Sequence, residues 1–296
     1  MNLNKIKIAA NKIKNSKNLI ITAGAGMGHD SGLPDYRGPE GLWKAYHPLK
    51  KLRMNFQDAA NPEFFIDNPN LAWGFYGHRY NLYKKVTPHL GFNILLDWVK
   101  TKNNYFVITS NVDDHFYKSG FDKENILEIH GCINYFQCNI CNYIKKYDKD
   151  QIKVDNDTLK VKNEDLPKCD KCQSLLRPNI LMFNDWDFNS ERVNWQNDNY
   201  SKFKSSLVGF KEDKSYKMNK KIDENEVVII ELGAGLAIPS IRIISENYIK
   251  NTNYFLIRIN TNDSQCNIGE ENINYISLEY KSIEALQIIK NELNKI

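Results

Sequence analysis

The chain has 296 residues, 42% hydrophobic and 26% charged, with 40 basic residues against 36 acidic ones and a formal net charge of +4. That balance supplies the apolar side chains for a sizeable core and excludes a chain disordered by composition. The lysines are spread along the chain, so charge alone marks no nucleic-acid surface, and no segment reaches the ~18 apolar residues of a membrane helix.

Taken in chain order, Leu3 to Lys14 predicts an amphipathic helix, with Leu3, Ile6, Ile8, Ala9 and Ile13 near helical spacing. This start has no apolar leader core and no cleavage site, so a cytoplasmic address is expected, with the nucleus open for a eukaryotic source. Asn18 to Thr22 is a short apolar run that leads directly into glycine-rich Ala23 to Gly28. A strand entering such a turn suits a phosphate-binding loop, although a short glycine run alone also suits a plain tight turn.

Gly38 to Lys85 is aromatic and reads as a helical insert, with Pro62 and Pro69 near helix starts. Within it, Trp73 to His78 suits core packing first and a substrate wall second. Tyr105 to Thr109, Val227 to Leu232 and Tyr254 to Ile259 are further continuous apolar runs, as expected of strands covered on both faces. Each is followed by polar residues or glycines: Ser110 to Asp113, Gly233 to Gly235, and Asn260. Strand C-terminal ends are where doubly wound sheets bind ligands. Asp187 to Lys221 is polar and weakly patterned, and is expected to lie over the sheet edge as loop and helix.

Cys138, Cys141, Cys169 and Cys172 form two C-x-x-C pairs. Two such knuckles can place four thiolates on one metal, and a closed tetrahedral set marks structural zinc rather than catalysis. Cys132 and Cys266 have no partner at this spacing and are expected to be core thiols. His130 follows the strand-like Ile126 to Ile129 and precedes Gly131. A lone histidine there is compatible with a structural role or with proton transfer.

Gly24, Ala25, Gly26, Gly32, Pro34, Asp35 and Arg37 stand in register with the sirtuin pattern G-A-G-x-S-x-x-S-G-I-P-D-F-R, with Leu33 for Ile and Tyr36 for Phe. Thr109-Ser110-Asn111-Val112-Asp113 is similar to that family's T-Q-N-I-D, and Glu128-Ile129-His130-Gly131 to its E-x-H-G. Leu176 to Asp185 is similar to its L-R-P-x-V-x-x-F-G-E, and Gly233-Ala234-Gly235-Leu236 and Ile259-Asn260 to its last motifs. The chain thus resembles a divergent sirtuin from about Leu19 to its final helix.

The resemblance implies one α/β catalytic domain over 1–296. Its doubly wound parallel, Rossmann-like core would span about 1–37, 86–135 and 175–296, with a helical insert at 38–85 and a zinc module at 136–174. It implies an NAD-dependent protein lysine deacylase with NAD as co-substrate, structural zinc, an acyl-lysine protein or peptide as partner, and neither membrane nor nucleic acid. NAD hydrolysis or mono-ADP-ribosyl transfer on the same fold stands as the alternative, and a non-catalytic NAD or ADP-ribose binding module as a further one.

His130 would be the general base, with Asn111 and Asp113 at the nicotinamide end. Gly24, Ala25, Gly26, Ser110, Gly233, Ala234 and Gly235 would complete the NAD site, with Tyr36 over the emptied nicotinamide pocket. Arg37, beside Asp35, would reach a phosphate, and Asn260 the adenosine ribose. Departures stand at Ala23, Gly28, Ser110, Ala234 and Gly235, each removing a side-chain donor, and at Asn184-Asp185 in the peptide-pairing segment. His115 replaces an apolar residue, and Phe116 takes the place of the family's usual helix histidine.

Overall fold

A computed structural model describes residues 3–34, 39–208, 226–266 and 274–296. The expected first helix is α1 (Leu3–Asn15), which turns its apolar side inward through Ile6, Ala9, Ala10 and Ile13. β1 (Asn18–Ala23) follows, then the short α2 (Ala25–His29). The aromatic insert is helical throughout: α3 (Pro39–Ala45), α4 (His47–Lys51), α5 (Phe56–Ala59), α6 (Glu63–Asp67) and α7 (Pro69–Lys85). Asn68 caps α7 by accepting the Leu71 N–H, and Pro69 occupies its first turn, where no donor is needed.

The chain returns to the sheet through α8 (Leu90–Val99), β2 (Asn104–Thr109), α9 (His115–Lys118) and β3 (Ile126–Glu128). It then enters β4 (Gly131–Cys138), β5 (Ile144–Lys146) and β6 (Leu176–Ile180). The rest is α10 (Glu191–Val208), β7 (Val227–Leu232), α11 (Ser240–Asn251), β8 (Phe255–Ile259), β9 (Tyr275–Leu278) and α12 (Ser282–Leu293). Among the described residues, no helix is long and apolar enough to cross a membrane.

The main sheet is six-stranded and parallel, in the order β3-β2-β1-β7-β8-β9. Its side chains alternate between two helical layers, as a strand's period of two requires. Leu19, Ile21 and Ala23 of β1 pack with Ile6 of α1, Ile94 of α8 and Leu286 of α12, whereas Ile20 faces Phe203 of α10 and Ile241 of α11. The strand order reverses between β1 and β7, which opens a crevice beyond their C-terminal ends.

On this side of the sheet Arg258 is fully buried, yet it donates to both carboxylate oxygens of Glu231 and to Glu246. Its Nη1, together with Arg242, also reaches the Gln265 carbonyl, so the charge network holds the loop after β8.

The second sheet is antiparallel, in the order β5-β4-β6. It begins at Gly131 and takes in Leu176–Ile180, so it draws residues from both edges of the segments assigned above to the main core. The helical insert and the cysteine module share one core, in which Trp73, Phe65 and Phe136 pack with Leu159 and Val161. Gly74 permits this contact, because a Cβ there would fall 1.9 Å from the Leu159 carbonyl oxygen. The Asn81 side chain bonds the Ile152 backbone in both directions, and Asn70 pairs with Val161. The two inserts read separately from the sequence are therefore one packed body.

Candidate active site

The glycine turn is a backbone-to-backbone junction. A Cβ on Gly24 would lie 2.7 Å from the Gly233 oxygen, and one on Gly26 would lie 2.7 Å from the Gly233 Cα. Gly233 has φ +59, a left-handed value that suits glycine, and donates its N–H to Ile259 O. Asn260 Nδ2 donates to Ala234 O at 3.0 Å. Gly24, Gly26, Gly233, Ala234, Gly235 and Asn260 thus gather where β1, β7 and β8 end. Asp35, Tyr36 and Arg37 lie outside the described residues, as does the end of the Asp187–Lys221 stretch.

A cavity of about 260 Å³ opens beside this junction. Ala25 and Gly28 line it from the glycine turn, Ser110, Asn111 and Asp113 from the loop after β2, and His130 from the turn between β3 and β4. The loop after β2 is fastened to β1. Ser110 N–H and Thr109 Oγ1 donate to Ala23 O, and Asn111 Nδ2 donates to Gly24 O at 2.9 Å. His130 is half-buried, and its carbonyl accepts from Leu181 N at 2.9 Å. Gly131 must be glycine: φ is +78, and a Cβ would meet the Asn179 oxygen at 2.1 Å.

Asp113 is buried, and burial pushes its carboxyl up to about 6 against the opposing pull of the His115 backbone N–H. At neutral pH it is a carboxylate close to its titration point, facing the cavity. Tyr76, inside the stretch read as core first and wall second, and Arg79, which sequence reasoning did not single out, line the same cavity from α7. The Tyr76 hydroxyl has no hydrogen-bond partner among the described residues, and burial pushes it up to about 12, so it stays a donor. Arg79 stacks near the rings of Phe75, Tyr76 and Tyr83 and donates to Tyr83 OH at 3.0 Å. The only sequence signal was an arginine inside an aromatic helix. Trp73 and Phe75 on that helix are wholly core, whereas Tyr76 lines the cavity.

Met182 and Phe183 close the far wall. Their segment is pinned by a buried two-pronged ion pair, Arg177 to Asp185 at 2.7 and 2.9 Å, and by Phe183 N donating to Ala60 O. Asn184 takes a left-handed φ of +54. The altered Asn184-Asp185 pair therefore still builds an anchored loop at the cavity edge. Beyond β3, α10 covers the sheet edge: Gln196 accepts the Glu128 N–H, and Arg192 pairs with the Glu128 carboxylate.

Three other histidines, His29, His78 and His89, are held by local hydrogen bonds. His78 bonds Tyr46, His89 accepts the Gly91 N–H at the start of α8, and His29 lies against Leu33 O. Cys132 is buried, whereas Cys266 is only half-buried.

The four paired cysteines converge. Sγ separations are 3.5 Å for Cys138–Cys172, 3.5 Å for Cys141–Cys169 and 3.6 Å for Cys141–Cys172. Zinc–sulfur bonds of ~2.3 Å in a tetrahedron place sulfurs about 3.8 Å apart, far from the ~2.0 Å of a disulfide. The donor set fits zinc, with no fifth ligand among the described residues. Each knuckle closes through a left-handed residue, Asn142 or Gln173, and a backbone bond back to Cys138 or Cys169.

A Sir2 family model matches residues 24–208. An NAD-dependent protein deacylase of Pyrococcus abyssi is 38% identical over 174 residues, covering 59% of this chain and 64% of that protein. One of Aquifex aeolicus is 32% identical over 167 residues, 56% of this chain and 61% of that protein. The matched region thus spans under two thirds of these curated relatives. A crystal structure of a Sir2 homologue with NAD aligns with TM-score 0.66 at 22% identity, covering 98% of this chain and 94% of that one. A structure on sirtuin substrate affinity aligns with the same score at 19% identity, over 97% and 98%. At such identities these likenesses show the fold.

Proposed function

Because the chain belongs to the Sir2 family, we propose that it is an NAD-dependent protein lysine deacylase acting on acyl-lysine in a protein or peptide. The observation that carries this reading is the convergence of Asn111, Asp113 and His130 on one cavity bordered by the glycine turn. NAD would supply the activated bond to nicotinamide and the ADP-ribose that accepts the acyl group. Nicotinamide leaves first, and one water is then consumed as the acyl group parts from the lysine amine, so the products would be nicotinamide, free lysine and O-acyl-ADP-ribose.

Each residue has a physical part in this reading. The crowded glycines bring backbone N–H groups close enough for a pyrophosphate, and Asn260 faces the adenosine end. Asp113 accepts a carboxamide N–H, while Asn111, tied to Gly24 O, fixes the floor of that pocket. His130 removes a proton from a ribose hydroxyl, a role that suits a half-buried imidazole at the cavity edge. The mostly apolar walls exclude water, which would otherwise capture the ribose carbon. The cysteines would hold zinc as a brace for β4 and the shared insert core, without a chemical step.

The acyl end of the cavity supports a finer reading. An unsatisfied Tyr76 hydroxyl and the Arg79 guanidinium stand in one otherwise apolar wall. A short acyl chain ending in a carboxylate can accept from both, through charge-assisted bonds stronger than a neutral acyl can form. The anchored loop at Met182–Asp185 suits a peptide lying along the cavity edge.

The test is incubation with NAD and peptides bearing acetyl-, succinyl- or glutaryl-lysine, followed by mass spectrometry. Peptide-dependent nicotinamide release with O-acyl-ADP-ribose supports deacylation. Release without peptide would replace it with NAD hydrolysis, and an ADP-ribose mass gain on protein would replace it with transfer. His130→Ala should keep ADP-ribose binding and lose turnover by at least a hundredfold; undiminished turnover would remove His130 as the base.

A further inference from the structure

The first turn of α9 carries a side chain that neither packing nor the reading above explains. His115 is fully buried, and neither ring nitrogen has a hydrogen-bond partner among the described residues. An imidazole so placed forfeits its solvation without return, a cost that packed proteins rarely keep without cause. An apolar residue would fill this space against Phe92 and Phe116 more readily.

A carboxylate of the proposed site stands close to this ring. His115 Nδ1 lies 3.9 Å from Asp113 Oδ2. Asp113 Oδ1 already accepts the His115 backbone N–H at 3.0 Å, so the residue grips this carboxylate by its main chain. Oδ2 is the oxygen beside Gly28: a Cβ there would sit 2.8 Å from it and 3.8 Å from Asn111 Nδ2. The motif that this glycine turn resembles has serine at that position, whose hydroxyl would reach these two groups. Here the carboxylate has lost that donor and has an imidazole behind it instead.

We infer that His115 is the positioning residue of Asp113, its neutral ring donating Nδ1–H to Oδ2 in the ligand-bound site and so replacing the donor absent at Gly28. At 3.9 Å the contact is not yet a hydrogen bond, and a small rotation of the carboxylate or ring closes it; such bonds commonly tighten only around a bound ligand. Burial moves the two groups in the required directions: the imidazole is driven down to about 4 and stays neutral, while the carboxyl is driven up to about 6 and needs donors to remain ionised. The other charged or titratable groups facing the pair are Lys118 on the same helix, Glu128 of β3, and His89 ahead of α8.

The inference rests on the proposed use of Asp113, and its test separates the two. His115→Leu removes the donor, whereas His115→Asn keeps an amide nitrogen near the place of Nδ1. Nicotinamide release from NAD is followed against pH for both and for the unaltered chain, with thermal melting to show that each is folded. His115→Leu is expected to lose at least tenfold in kcat/KM for NAD and to move the acid limb upward, because an under-donated Asp113 holds its proton to higher pH. His115→Asn is expected to stay within about threefold, with its limb near the original.

Two folded variants with the same profile would overturn the assignment. Nitrogen-15 NMR of the His115 ring with ADP-ribose and nicotinamide bound decides independently of turnover: protonation at Nδ1 is expected, and protonation at Nε2 overturns it. If the unaltered chain releases no nicotinamide, the deacylase reading falls, while the ring tautomer still decides the role of His115.

Discussion

Gly233→Ala isolates the junction on which the nucleotide site is built. Two costs follow from the structure. A φ of +59 charges any residue with a Cβ about 1–2 kcal/mol. The new Cβ would also lie 2.5 Å from both the Gly26 Cα and the Met27 nitrogen. These are backbone atoms, so no side-chain rotation relieves the contact, and overpacking of this kind costs about 1–3 kcal/mol more. The sum is about 2–5 kcal/mol.

Gly32→Ala provides the control, because Gly32 has φ +90 with nothing within 4 Å of its Cβ position and bears only the first cost. Urea unfolding reads the stabilities, and titration calorimetry with ADP-ribose reads the site. Gly233→Ala should be the less stable variant and should bind ADP-ribose at least tenfold more weakly, because relief requires the β1 and β7 turns to part. A Gly233→Ala chain as stable as Gly32→Ala, with unchanged binding, would refute the interlocked-turn argument.

Asp113→Asn should abolish nicotinamide release yet stabilise the fold at pH 7. The folded carboxyl titrates near 6 against an ordinary 3.8, so the folded state holds the extra proton between those values. Stability therefore falls as pH rises from about 4 to 6, and the variant's stability curve should lose that slope. Arg79→Met should lower kcat/KM on succinyl- or glutaryl-lysine peptides by about 10–100-fold, the ~1.5–3 kcal/mol of a charge-assisted bond, while changing acetyl turnover far less. Elemental analysis should find one zinc per chain. Cys141→Ser should lose it and loosen the shared insert core, seen as faster hydrogen exchange around Trp73 and Phe136, and a metal-free unaltered chain with equal protection would end the brace argument.

Much of this architecture was legible from local pattern. The apolar runs at Asn18, Tyr105, Val227 and Tyr254 were strands because only a sheet covered on both faces needs such continuity. The cysteine spacing announced its metal geometry, and the polar residues after each strand marked the ligand edge. Elements with weaker patterns were missed. β5 and β9 are short, and β9 follows residues outside the described set. α10 was expected only as an unbounded helix within the polar stretch over the sheet edge, because it turns few apolar residues inward and covers an edge strand through Gln196 and Arg192.

What the sequence determined by itself was the inventory: which segments are strands, where the glycines must crowd, and which thiols pair. Only the tertiary structure decided the assignments among neighbours. On one helix it sent Trp73 and Phe75 to the core, and Tyr76 and Arg79 to the cavity wall. It fused two distant inserts across Gly74 and placed the His115 ring behind Asp113. The physical reason is that periodicity reports which face of an element is buried, whereas an electrostatic partner is fixed by residues far away in the chain. The distance between Asp113 and the turn at Gly28 is set by the packing of β2 beside β1, and no local rule encodes it.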